Sequence, residues 1–238
     1  FKLKKDMPWA KAGYVQMNEQ LNITTDEWDT WTLNNGEFEN MDAIQVSTSE
    51  DKSMTSVKAG NYTIRFNNAD GSIYSMEANE EVIIEPGNGP KLDAFRAPVD
   101  NDNWAWNQWF KQGLYDLKHK VIGTPTVVKE KDGTVSIVYN VKSQAAHQGR
   151  VINRPGKAGE PFESIEKGRE MNDDDLYFTT IQRYTIFKNG TIVLASSIIS
   201  SDAGITLPRL GYAMKMNKNY DTYTYYGRGP LNNYADRK

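Results

Sequence analysis

Cysteine is absent from the 238 residues, and histidine occurs only twice. The first absence removes disulfides, thiolate nucleophiles and cysteine-zinc sites together. It fixes no compartment, because a cysteine-free chain folds in either redox environment. No apolar run approaches the ~20 residues that a membrane-spanning helix needs. No basic block occurs: 28 Lys and Arg are interspersed with 31 Asp and Glu for a net charge of −3, whereas nucleic-acid binding calls for a concentrated basic face. Neither nucleic acid nor membrane is therefore an expected partner. No Gly-x-Ser-x-Gly elbow is present, and nothing repeats at a period of 20–50 residues. No basic-then-apolar leader follows Phe1, which leads us to expect a piece of something longer and leaves export, and so a cytoplasmic or periplasmic location, open.

What the chain does hold is 38% hydrophobic and 11% aromatic residues, with 6 Trp and 13 Tyr, enough for one large core or two modest ones. Tyr and Trp pair an apolar face with a hydrogen-bonding tip, which suits sheet packing and suits sugar contacts. Period-two alternation dominates. "NYTIRFNNADGSIYSME" puts Tyr62, Ile64 and Phe66 on one face and turns through Asp70-Gly71, a hairpin signal. "VVKEKDGTVSIVYNV" does the same around Asp132-Gly133, and "YFTTIQRYTIFKNGTIVLASSIIS" around Asn189-Gly190. Three such turns predict an antiparallel all-β sandwich.

Two stretches depart from that pattern. "NDNWAWNQWFKQGLYDL" spaces Trp106, Trp109, Phe110 and Leu114 as a helix does, predicting one helix of about four turns near 103–117. Residues 149–175 are polar and without period, too long for an ordinary connection, and are expected to be a functional loop or an insertion. Its Asp173-Asp174-Asp175 run is expected to be a solvated loop.

Candidate sites are few. Gly227-Arg228-Gly229-Pro230 lacks the helix that must open after a phosphate-binding loop, so it is expected to be a turn. "AFRAPVDNDNW" sets Arg96 ahead of Asp100, Asn101, Asp102 and Trp104. Those oxygens suit a hard cation, although a calcium loop would want a glycine where Ala105 and Trp106 stand. They equally suit capping of the backbone nearby, or binding of sugar hydroxyls. Neither His119 nor His147 lies in a motif, and both are expected to pack or to sit at the surface. Glycoside cleavage needs two carboxylates flanking one bond, and spacing alone pairs none of the 31.

"FRAPVDND" (95–102) and "YYGRGPLNNYADRK" (225–238), in this order with β-rich sequence between them, resemble the C-terminal region of the large β-galactosidases of glycoside hydrolase family 2. "DMPWAKAGYVQMNEQLNI" (6–23) and "LPRLGYAMKMN" (207–217) are similar to that family's passage out of a preceding immunoglobulin-like sandwich and to the strand before its glycine-proline turn. The resemblance implies that residues 1–20 end the preceding sandwich. It implies that residues 21–238 form the first part of an antiparallel supersandwich, galactose mutarotase-like, cut short at its C-terminal end with an unpaired edge. It places the catalytic glutamates, and a magnesium ion with sodium as a further candidate, on a barrel outside this chain, so that no catalytic residue, metal ligand or cofactor is expected here. The implied partners are the rest of the β-galactosidase chain, a β-galactoside substrate and further copies in a homo-oligomer. Arg96, Asp100, Asn101, Asp102 and Trp104 are implied at the rim of the sugar pocket. The family's rim loop is glycine-led, whereas "NWAWNQWF" follows Asp102 here. Two alternatives stand beside this expectation: a carbohydrate-binding module of mutarotase-like fold, and a purely structural or oligomerisation domain.

Overall fold

A computed structural model describes residues 4–8, 10–13, 40–153 and 163–222. The chain divides into two compact units, Phe1–Asn34 with Thr222–Lys238, and Asn35–Asp221. In the first, Asp6 accepts hydrogen bonds from Lys11 Nζ and the Ala12 N–H. The expected boundary near residue 20 and the terminal stretch 225–238 lie outside the described residues.

The second unit opens with a five-stranded antiparallel meander of β1 (Gln45–Thr48), β2 (Met54–Ala59), β3 (Tyr62–Asn67), β4 (Ser72–Ala78) and β5 (Glu81–Ile84), paired in chain order. Two of its turns are built from residues that bond their own backbone: Asp51 Oδ1 takes the Ser53 N–H in the turn after β1, and Asp70 Oδ1 takes both the N–H and the hydroxyl of Ser72. A single strand, β6 (Lys91–Asp93), leads to the helix α1 (Trp106–Lys111) and on to β7 (Leu117–Val121) and β8 (Thr126–Lys129). The long strand β9 (Val135–Ala145) follows, then the β10 (His147–Asn153) and β11 (Glu163–Glu170) hairpin, then β12 (Phe178–Ile186), β13 (Ile192–Ser200) and β14 (Gly211–Ala213). The second sheet runs β13-β12-β9-β7, with β8 sharing the same edge of β9; β14 pairs with β6.

Alternation decides how the two sheets meet. Along β12 every second residue is buried, Phe178, Thr180, Gln182, Tyr184 and Ile186, as period two requires of a strand with one covered face. Tyr184, Ile186, Ile137, Tyr139 and Val141 close against Val57, Ile64, Phe66 and Ile73 of the meander in one core. Phe66 meets Tyr184 edge-on at 5.1 Å and Tyr139 at 6.4 Å, the spacing at which aromatic pairs add to simple burial. The result is the all-β antiparallel sandwich that the three turn signals predict. A second cluster of Leu92, Ala94, Trp109, Leu114, Leu176 and Phe178 seats α1 over the end of the second sheet.

Two expectations are corrected. The helix is not four turns long but six residues, with 3₁₀ turns at Asp100–Asp102 and Leu114–Asp116 on either side. Gly113 stops it at φ +66, where an added Cβ would run into Ala145 and the His147 carbonyl, so the chain leaves the helical path there. The polar stretch 149–175 is not one long loop: residues 149–153 and 163–170 belong to the β10–β11 hairpin, bulged between His147 and Gly149, and residues 171–175 form a turn. Periodicity missed it because the described side chains of β11 are exposed and the strands are held by backbone pairing rather than by a buried face. Residues 154–162 lie outside the described residues.

Candidate functional site

Beyond β6 the chain leaves the sheet, and the Asp93 carboxylate fixes its exit by accepting the Phe95 N–H and pairing with Arg209 at 2.6 Å. Arg96 then turns back on its own loop. Its Nη1 and Nη2 donate to Asp102 Oδ2 and Oδ1 at 2.6 and 2.9 Å, and its Nε donates to the Pro208 carbonyl at 3.3 Å. Asp102 Oδ2 also accepts the Val99 N–H at 2.7 Å, while the Asp102 N–H closes onto the Val99 carbonyl at 2.8 Å. The Arg96 hydrogen bonds, and after them the Val99 N–H, hold the Asp102 carboxyl below its usual range, as hydrogen bonding to the charged form does. Asp102 is buried.

The guanidinium lies 5.6 Å from the centre of the Trp109 ring, within cation–π range, and Trp109 Nε1 donates to the Thr206 carbonyl at 2.8 Å. Behind it, Phe95, Trp106, Phe110 and Tyr115 contact one another at 5.4–6.2 Å. Four segments are thereby tied together: the 3₁₀ turn, α1, the 206–209 connection and the end of β6. On the outside of this assembly Trp104 is 74% exposed, with Val99 at 57% beside the exposed Asp100 and Asn101.

The five rim candidates therefore separate. Arg96 and Asp102 are brought together and spend their polar atoms on each other and on the backbone, which fits the backbone-capping account of this segment. Asp100, Asn101 and Trp104 share one exposed turn and present an aromatic face beside amide and carboxylate oxygens, the chemistry that sugar rings use. Sequence reasoning missed Trp109, Thr206 and Pro208 as parts of the same assembly. The only local hint was an indole at helical spacing, since its partners lie about a hundred positions away.

Carboxylates elsewhere are mostly committed. A cleft of about 420 Å³ is lined by Gln112, Asp173, Asp174, Asp175, Tyr177 and Asp202. Asp173 meets Lys142 at 2.6 Å, and Asp175 takes both Arg169 Nη atoms and the Asn172 N–H, which hold its carboxyl down to about 2. The acidic run is a solvated turn at Asp173 and Asp174, as expected, with Asp173 and Asp175 each in an ion pair. His119 is half-buried on β7 with Nδ1 2.9 Å from Ser143 Oγ, a packing role. His147 is half-buried with its Nδ1 enclosed. Among the described residues no group of three or more His, Asp or Glu is placed to hold a metal ion, and no helix is long and apolar enough to cross a membrane.

Curated relatives named beta-galactosidase from Priestia megaterium and Pseudoalteromonas haloplanktis are 23% and 24% identical over 100% and 99% of this chain, but over only 19% and 21% of their own length. One from Halalkalibacterium halodurans is 27% identical over 74% of this chain and 15% of its own. The chain thus spans about a fifth of the length of the curated relatives it matches. The family described as beta galactosidase small chain matches residues 58–238, which takes in the whole sandwich from β3 onward and the Arg96–Trp104 turn. The chain belongs to the β-galactosidase small chain family.

Proposed function

We propose that this chain is a non-catalytic part of a larger family 2 β-galactosidase that hydrolyses terminal β-D-galactosides. In this reading it backs the catalytic barrel and borders the sugar pocket with Asp100, Asn101 and Trp104. The observation that carries it is the exposed Trp104 turn, held from behind by the Arg96–Asp102 fork. An exposed indole normally costs solubility, and it gains a purpose when a sugar ring covers it. The retaining pair of glutamates and the magnesium belong to the barrel, and the complete enzyme assembles as a homo-oligomer.

The test is hydrolysis of a nitrophenyl galactoside by three samples: this chain, the remaining polypeptide and the two mixed. No turnover by the first and recovered turnover in the mixture are expected; turnover by the chain alone overturns the reading. The exposed indole beside Asp100 and Asn101 also favours a second reading, a sugar-binding module that works without a barrel. Titration of the isolated chain with galactosides separates the two, because only the module binds by itself.

A further inference from the structure

A second cleft, of about 460 Å³, opens where the β10–β11 hairpin meets the turn after α1, and it is lined by Tyr115, Asp116, Lys118, His147, Ile165 and Lys167. Asp173 and Asp175 of the first cleft are committed to Lys142 and Arg169. The second cleft keeps polar groups to spare.

The hairpin is shaped around Tyr115. A Cβ on Gly149 would run into the Tyr115 ring and hydroxyl and into the Phe110 carbonyl, so glycine lets the phenol lie on the strand itself. Lys167 stands opposite Gly149, and Ile165 opposite Val151. Opposed residues of an antiparallel pair share one face, so Ile165 and Lys167 flank the ring. Phe110 and Phe95 contact it from behind at 5.6 and 6.2 Å, which fixes it in place. Beyond Gly149 the register shifts and leaves Gly168 and Arg169 opposite Gln148. Such a bulge re-aims side chains, and His147 on its far side stands in the same wall of the cleft.

The floor is apolar, with Tyr115 half-buried and Ile165 exposed beside it. Donors and charges surround it. Burial, and then the Asp116 charge, push the Tyr115 phenol above its usual 10, so it keeps a proton to donate. Lys118 meets Asp116 at 2.6 Å, with both side chains more than half exposed. Lys167 is exposed and, among the described residues, forms no ion pair. Two ammonium groups therefore stand against one carboxylate. The His147 Nδ1 is enclosed and has no hydrogen-bond partner among the described residues, a state that costs free energy until a partner is supplied.

We propose that this cleft binds a small sugar acid, a pyranose ring carrying one carboxylate. The ring covers Tyr115 and Ile165 with its apolar face, as amphipathic aromatic surfaces allow. Its carboxylate meets Lys167 with Lys118 alongside, and its hydroxyls pair with Asp116, His147 and the Tyr115 hydroxyl. A neutral sugar would leave the ammonium of Lys167 without the charge-assisted bond it can make. An aromatic acid would strip water from Asp116 and His147 and return no hydrogen bond. A bare phosphate would leave the apolar floor in water. Binding here needs neither the barrel nor a galactoside, and so goes beyond the proposed function.

The experiment is calorimetric titration of the full-length protein with galacturonate, in competition with galactose, benzoate and inorganic phosphate, with galactosidase activity assayed on the same preparation. One saturable galacturonate site per chain is expected, weakened by salt as an exposed charged contact is. Lys167→Ala is expected to weaken it about tenfold, Lys167→Glu to weaken it further and Lys167→Arg to keep it. Lys167 is exposed, so these variants fold alike. Absence of saturable binding, or unchanged affinity in the Lys167→Glu variant, overturns the proposal. So does galactose, benzoate or phosphate that displaces galacturonate as well as galacturonate displaces itself. A protein that binds galacturonate through Lys167 yet hydrolyses no galactoside counts against the proposed function and leaves the sugar-acid site standing.

Discussion

Arg96 and Asp102 meet as a two-pronged ion pair across the turn that carries Asp100 and Asn101, at 2.6 and 2.9 Å. Such a fork fixes orientation as well as distance, because the guanidinium plane must match both carboxylate oxygens. The seven residues 96–102 are closed into a loop whose two ends cannot rotate independently. Trp104, two residues past the fork, is exposed but mounted on a fixed base.

Lysine keeps the charge at position 96 and loses the fork. Arg96→Lys and Asp102→Asn are each expected to lower the melting temperature of the chain. Trp104→Ala, which removes only an exposed ring, is expected to shift stability by no more than about 0.5 kcal/mol while weakening galactoside turnover in the complete enzyme. Thermal unfolding with parallel activity assays checks all three.

The indole of Trp109 is fully buried with its N–H on the Thr206 carbonyl. Trp109→Phe keeps most of the ring and strands that carbonyl, for an expected loss of about 1–3 kcal/mol. The equivalent change at Trp106, which is only half-buried, should cost less. Denaturant titration of both variants gives the comparison.

Gly190 closes the β12–β13 turn at φ +84, and a Cβ there would run into the Tyr62 ring. Gly190→Ala therefore combines an unfavourable backbone with a clash, and a loss of about 1–3 kcal/mol is expected from the backbone alone. A Tyr62→Ala, Gly190→Ala double variant should recover the clash and not the backbone part, as a double-mutant cycle would show.

Acid should act in two steps. Burial, and then Lys91, push the His119 imidazole below its usual 6.5. With a folded value below the unfolded one, its contribution is complete above about pH 6.5 and is lost as pH falls through the lower folded value. Asp51 is held down to about 2 by the Ser49 hydroxyl and the Ser53 N–H, and Asp175 to about 2 by Arg169 and the Asn172 N–H. Their contributions are complete above about pH 4 and disappear toward pH 2. Melting temperatures from pH 8 to 2 should fall in both ranges, with His119→Gln flattening the first and Asp51→Asn with Asp175→Asn the second.

The hairpins at Asp70-Gly71, Asp132-Gly133 and Asn189-Gly190 were legible because each is set by residues adjacent in the chain. The length of α1 was not: apolar spacing ran on to Leu114, while the stop at Gly113 comes from Ala145 and His147 on other strands. The β10–β11 hairpin stayed hidden because backbone pairing leaves no mark on a polar sequence. Among the rim candidates, residue type alone could not tell an Asp that faces a ligand from one that faces its own loop.

By itself, then, the sequence determined an antiparallel sandwich, its turns and its alternating faces, since these follow from backbone preferences and from side chains two to four positions apart. Only the tertiary structure decided that Arg96 and Asp102 lock while Trp104 stays open, and that among the described residues β13 pairs only with β12. Those outcomes depend on Pro208, Thr206 and β12, which reach their places only when distant segments pack, and no local pattern encodes that packing.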